Sequence, residues 1–127
     1  MTYYFSKSLA CGFDEAIART TAALQGAGFG VLTEIDVQAT MKKKLDVDFP
    51  AYRILGACNP PLAHQALLAE DHVGLMLPCN VVVRAVAGGT EVSAIDPLAA
   101  MGAIDNPALH AVAATVSEKL KAVIAGL

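Results

Sequence analysis

Tyr52-Arg53-Ile54-Leu55-Gly56-Ala57-Cys58-Asn59-Pro60-Pro61 carries the end of a strand and the start of a helix in one run. Tyr52 to Ala57 reads as a strand. At Asn59 the side-chain oxygen can accept from the orphan N–H groups of a first helical turn, and Pro60 at the first helical position needs no donor. Leu62, Ala63, Ala66 and Leu67 then fall on one helical stripe, and Glu70-Asp71 ends the pattern. The stretch from Gly74 to Val86 is apolar and reads as the following strand, with Pro78, Cys79 and Asn80 inside it. The dipeptide Cys-Asn thus occurs twice beside a proline, once in Cys58-Asn59-Pro60 and once in Pro78-Cys79-Asn80.

Outward from this unit, the chain alternates strand and helix signals. Residues 2–8, with Tyr3, Tyr4 and Phe5, read as a first strand. A helix opens at Gly12 with Phe13, Ile17, Thr21 and Leu24 on one stripe, and Gly28 is a left-handed residue past its end. Phe29 to Ile35 is a second strand. Asp36 caps a short helix, Val37 to Leu45, whose lysines meet the negative end of the helix dipole. Gly88-Gly89 marks a hairpin, and Thr90 to Ile95 is a further strand. Asp96-Pro97 reads as a turn. A last helix starts at Asn106-Pro107 and buries Leu109, Val112, Ala113, Val116, Leu120 and Val123, with Ser117, Glu118 and Lys121 facing water.

This order, β-α-β-β-α-β-β-α with a short helix inserted, predicts an α/β (α+β) two-layer sandwich. A mixed sheet of about five strands would carry helices on one face around a ferredoxin-like core. In that arrangement the helix after Asn59 is a right-handed crossover between parallel strands with another strand between them, which keeps Cys58 and Cys79 apart. No helix remains to cover the other sheet face, so a second copy of the chain is the expected cover.

Length and composition agree. The 127 residues fit a single domain, 1–127. Hydrophobic residues make up 55% and charged residues 17%, a balance that favours extra buried surface such as a homodimer interface. Apolar runs fall short of a membrane span, and Met1 to Phe5 lacks the charged start of a signal peptide, so a cytoplasmic protein is expected. Net charge is −3 and the one basic run is Lys42-Lys43-Lys44, which leaves no phosphate-neutralising stripe for nucleic acid. Three cysteines argue for free thiols rather than a disulfide framework.

The segments Gly28 to Val37, Lys44-Leu45, Tyr52 to Pro60 and Leu77 to Val83 resemble the domain-of-unknown-function family numbered 302, roughly from Tyr3 to Met101. The resemblance implies a small bacterial or archaeal α/β domain, dimeric and without an established activity. It carries over no catalytic residue and no cofactor.

The residues themselves offer candidates. Cys58 precedes a helix N-terminus, where backbone N–H groups favour a thiolate, and His64 follows on the same helix; together they are the candidate nucleophile and its assistant. A buried structural thiol is the competing account of Cys58. Cys79 shares strand parity with Leu75, Leu77, Val81 and Val83 and reads as core, while Asn80 faces the other way and needs partners. Asp36, Tyr52, Asn59 and Asn80 are the candidate ligand-binding groups. No cysteine or histidine spacing matches a metal site, and Gly28-x-Gly30 precedes a strand, so a dinucleotide loop fails. Three functions follow: a homodimeric domain binding a small molecule at the Cys58/Asn59 and Asn80 corner, a thiol enzyme or relay, or an assembly module without a ligand.

Overall fold

The computed structural model describes residues 2–127. Strands β1 (Tyr4–Leu9), β2 (Gly30–Asp36), β3 (Tyr52–Cys58), β4 (Cys79–Val86) and β5 (Gly89–Ile95) form one sheet in the order β1-β5-β4-β3-β2. Helices α1 (Phe13–Gly26), α2 (Val37–Leu45), α3 (Pro60–Ala69), α4 (Pro97–Met101) and α5 (Pro107–Ala125) accompany it, with a 3₁₀ helix at Asp71–Met76. The two-layer α/β sandwich is therefore present, with α1 and α5 packed on one sheet face.

Every neighbouring strand pair is antiparallel, which corrects the expectation of a mixed sheet. It also corrects the ferredoxin-like order, because β3 and β4 are direct neighbours with no strand between them. The physical reason lies in α3. The face that a crossover helix would need is already occupied by α1 and α5. Helix α3 packs instead on α5 and on the 3₁₀ helix, at the end of the sheet, and the chain re-enters beside the strand it left. Gly74 to Met76, expected as the start of the strand, belong instead to the 3₁₀ helix, whose start is capped by Glu70; its carboxylate accepts from His72 N–H at 3.2 Å.

The local signals otherwise act as their chemistry requires. Asp36, Asn59 and Asn106 cap α2, α3 and α5 by accepting from Ala39, Leu62 and Leu109 N–H at 2.9, 3.3 and 3.1 Å. Gly28 adopts φ +88° just past α1, where Phe29 N–H bonds Leu24 carbonyl at 2.8 Å. On α1 the fully buried stripe is Ala16, Thr20 and Leu24, with Phe13 and Ile17 flanking it half-buried. The main core sets Leu24 and Phe29 against Val81, Val83, Val92 and Leu120. Each such side chain removed from water contributes about 1.5–3 kcal/mol. A second cluster of Ala66, Val73, Met101, Leu109 and Ala113 lies under the excursion between β3 and β4.

Asp96-Pro97 does more than turn. Asp96 accepts from Leu98 N–H at 3.0 Å and starts α4, and Ser117 donates to the same carboxylate at 2.8 Å. Ser117, expected at the surface, is thereby buried.

Candidate functional site

The antiparallel ladder sets Ala57 opposite Cys79 and Gly56 opposite Asn80, so the two Cys-Asn segments meet at one end of the sheet. This overturns the expected separation of Cys58 and Cys79. Both thiols line a single small cavity of about 30 Å³, closed by Phe29, Leu62, Leu77 and Met101. That volume suits one water molecule rather than a metabolite, and the walls are almost wholly apolar. No cysteine is in a disulfide. Burial, then the neighbouring Cys58 thiol, pushes the Cys79 thiol up to about 11. Asn59 spends its side-chain oxygen on the α3 cap beside this cavity. His64 is exposed on α3 and forms no hydrogen bond with Cys58 among the described residues. Among those residues no group of three or more His, Cys, Asp and Glu converges as a metal site would require.

Asp36 and Tyr52 stand at the other end of the sheet. Strand β3 has seven residues and spans roughly 20 Å, so Tyr52 and Cys58 cannot touch one small ligand in the cavity. Asp36 lies on the helix-covered side of the sheet, where Arg53 binds it at 3.5 Å and Glu34 at 3.0 Å while its guanidinium sits 5.4 Å from the centre of the Phe13 ring. Cap and ion pair occupy Asp36 fully.

Asn80 and Tyr52 are brought together elsewhere, on the sheet face opposite α1 and α5. Strand register arranges that face in rows. Tyr4 stands beside Ile95, and Asn80 beside Gly56. Ser6, Ser93, Val82 and Ile54 form the middle row, and Ser8, Glu91, Arg84 and Tyr52 the next. The middle row is short or branched, and Tyr4 and Asn80 on one side and Tyr52, Arg84 and Glu91 on the other stand taller, which makes a trough. Its volume is about 470 Å³, and Tyr3, Tyr4, Tyr52, Asn80, Arg84 and Glu91 are among its lining residues. Arg84 Nε donates to Glu91 Oε1 at 2.9 Å across the β4–β5 ladder, and this hydrogen bond raises the Arg84 pKa further, so the guanidinium is always charged. Ser6 and Ser93 hydroxyls are 3.0 Å apart, and Ser93 donates to Glu91 at 3.4 Å, which links β1, β5 and β4 in one polar chain.

Tyr3, Tyr4, Arg84, Glu91 and Ser93 were not among the candidates read from the sequence. Their signal was the alternation Asn80-Val82-Arg84 and Glu91-Ser93-Ile95, which places polar groups on the face opposite the buried Val81, Val83 and Val92.

The family model described as "Domain of unknown function DUF302" matches residues 5–127. Among solved structures, the chain is similar to the crystal structure of uncharacterized conserved protein DUF302 from Bacillus stearothermophilus. The two share 31% sequence identity, 98% of each chain is covered, and the TM-score is 0.91. No curated protein matches the chain.

Proposed function

This chain belongs to the DUF302 family, and we propose that it acts as a cytoplasmic homodimeric domain that holds a small molecule on its open sheet face. The observation that carries the reading is the trough of about 470 Å³, in the size range of small-molecule sites, with an apolar floor and a few convergent polar groups. The reading keeps Asn80 and Tyr52 as ligand-binding residues. It moves the ligand away from Cys58 and Asn59, whose cavity is an order of magnitude smaller. A trough on a sheet is open above. A second copy laid on the same face would roof it and cover the exposed Tyr3, Tyr4 and Ile35. No helix among the described residues is long and apolar enough to cross a membrane.

The test is native mass spectrometry of gently purified protein, together with light scattering. The proposal expects a dimer at micromolar concentration carrying a co-purified small molecule, and expects Val82→Trp, which fills the trough, to release it. A monomer would remove the homodimer from the proposal, and a bound molecule indifferent to Val82→Trp but lost in Cys58→Trp would return the site to the sheet-end cavity.

A further inference from the structure

We infer that the trough takes a planar, ring-bearing carboxylate, with the carboxylate on the terminal guanidinium nitrogens of Arg84 and the ring over Val82 and Ile95. This rests on the proposed open-face site and adds the chemistry of its ligand. Arg84 spends its Nε on Glu91 at 2.9 Å. The terminal nitrogens carry the rest of the guanidinium donors, and among the described residues they have no partner. The hydroxyls of Tyr3, Tyr4 and Tyr52 and the amide of Asn80 line the same trough, also without a hydrogen-bond partner among those residues. Glu91 is the one carboxylate there, and it already receives Arg84 and Ser93. The tyrosine hydroxyls and the Asn80 amide can donate or accept, so the Arg84 terminal nitrogens are the donors in the trough that call for an acceptor from the ligand.

The arrangement selects which acceptor. Glu91 fixes the guanidinium plane from its Nε side and leaves the two-pronged end for a planar, two-oxygen group, the geometry in which arginine binds best. The same pairing offsets part of the arginine charge, so charge alone would hold an anion weakly and apolar contact must add to it. Val82 and Ile95 supply that contact on the floor, and the Tyr4 ring flanks it. A flat ring uses such a floor at little conformational cost.

Isothermal titration with 2-naphthoate, its neutral isostere 2-naphthamide, and acetate tests the inference on the whole chain. The expected result is saturable 2-naphthoate binding at least tenfold tighter than 2-naphthamide, with acetate weaker still. Arg84→Gln should remove the acid's advantage and leave the amide unchanged. Val82→Trp should abolish both, with Ser93→Tyr as a second way to fill the trough should Val82→Trp fail to fold. Equal affinity of acid and amide, an acid affinity untouched by Arg84→Gln, or no saturable acid binding would overturn the ligand class. The open-face site has a separate failure. If the amide binds as tightly as the acid and Val82→Trp abolishes both, the site stands and the carboxylate falls. If filling the trough changes the binding of no compound, both fall.

Discussion

Ser117 on α5 donates a 2.8 Å hydrogen bond to Asp96, the residue that ends β5 and caps α4. One carboxylate oxygen thereby serves two elements, since Leu98 N–H reaches the same atom at 3.0 Å. Ser117 is 4% exposed, so its loss leaves a half-buried Asp96 oxygen with Leu98 N–H alone. Ser117→Ala should lower the unfolding free energy by about 1–2 kcal/mol, and Asp96→Ala by more, because a helix cap goes with it. Urea denaturation of the two variants and the double variant checks this. Strict additivity would show that the two residues do not interact.

The same pair marks where sequence reading stopped. Helical spacing placed Ser117 beside Glu118 and Lys121 on the wet face, because periodicity weighs a serine by its polarity alone. A buried partner far along the chain has no periodic signature. The caps at Asp36, Asn59 and Asn106 were legible because a cap is a local contract between a side chain and an N–H three residues on. The order of strands was not. A strand–helix–strand segment encodes no choice between crossing the sheet face and capping its end; that choice is made by α1 and α5, which are remote in sequence. The candidate site suffered from the same gap. Asn80 and Tyr52 were named from their own neighbourhoods, and the register that joins them to Arg84 and Tyr4 exists only in the assembled sheet.

Gly56 is enclosed from two sides. A β-carbon there would strike Thr33 Oγ1 from the neighbouring strand and lie 2.7 Å from Pro78 Cγ. Neither is the end of a flexible side chain. Gly56→Ala should therefore push β2 or the Pro78 segment away from β3, at a cost of about 1–3 kcal/mol in thermal or denaturant unfolding. Ala57→Gly, one residue on, is the comparison. A Gly56→Ala protein that melts with the wild type would mean that this corner gives way freely.

The Cys79 thiol imposes a pH dependence. Its pKa is raised from 9.0 to about 11 in the folded state, first by burial and then by Cys58, so the folded chain holds this proton where the unfolded chain has released it. The sign follows: the stabilisation is complete below pH 9 and is lost as pH rises toward 11, at roughly 1.4 kcal/mol per pH unit across that window. Cys79→Ala should be less stable at neutral pH, because of the cavity it leaves, yet lose less on going from pH 8.5 to 10.5. Parallel slopes for the two proteins in denaturant titrations would refute the shift.

Thiol labelling separates a relay from a structural corner. Cys58 is half-buried and Cys79 is 6% exposed, so a small alkylating agent should reach Cys58 first and Cys79 only on the timescale of opening or unfolding. His64 lies exposed on α3 with no hydrogen bond to Cys58 among the described residues, so it has no direct hold on the thiolate. His64→Ala should leave the rate of Cys58 alkylation by iodoacetamide within about twofold across pH 6–9, read by mass spectrometry at Cys58, since an imidazole activates a thiol by a direct hydrogen bond or by a charge close to it. A tenfold slowing, with the pH midpoint moved upward, would instead mean that the imidazole swings onto the sulfur in solution, and the thiol relay would then displace the open-face site as the function to pursue.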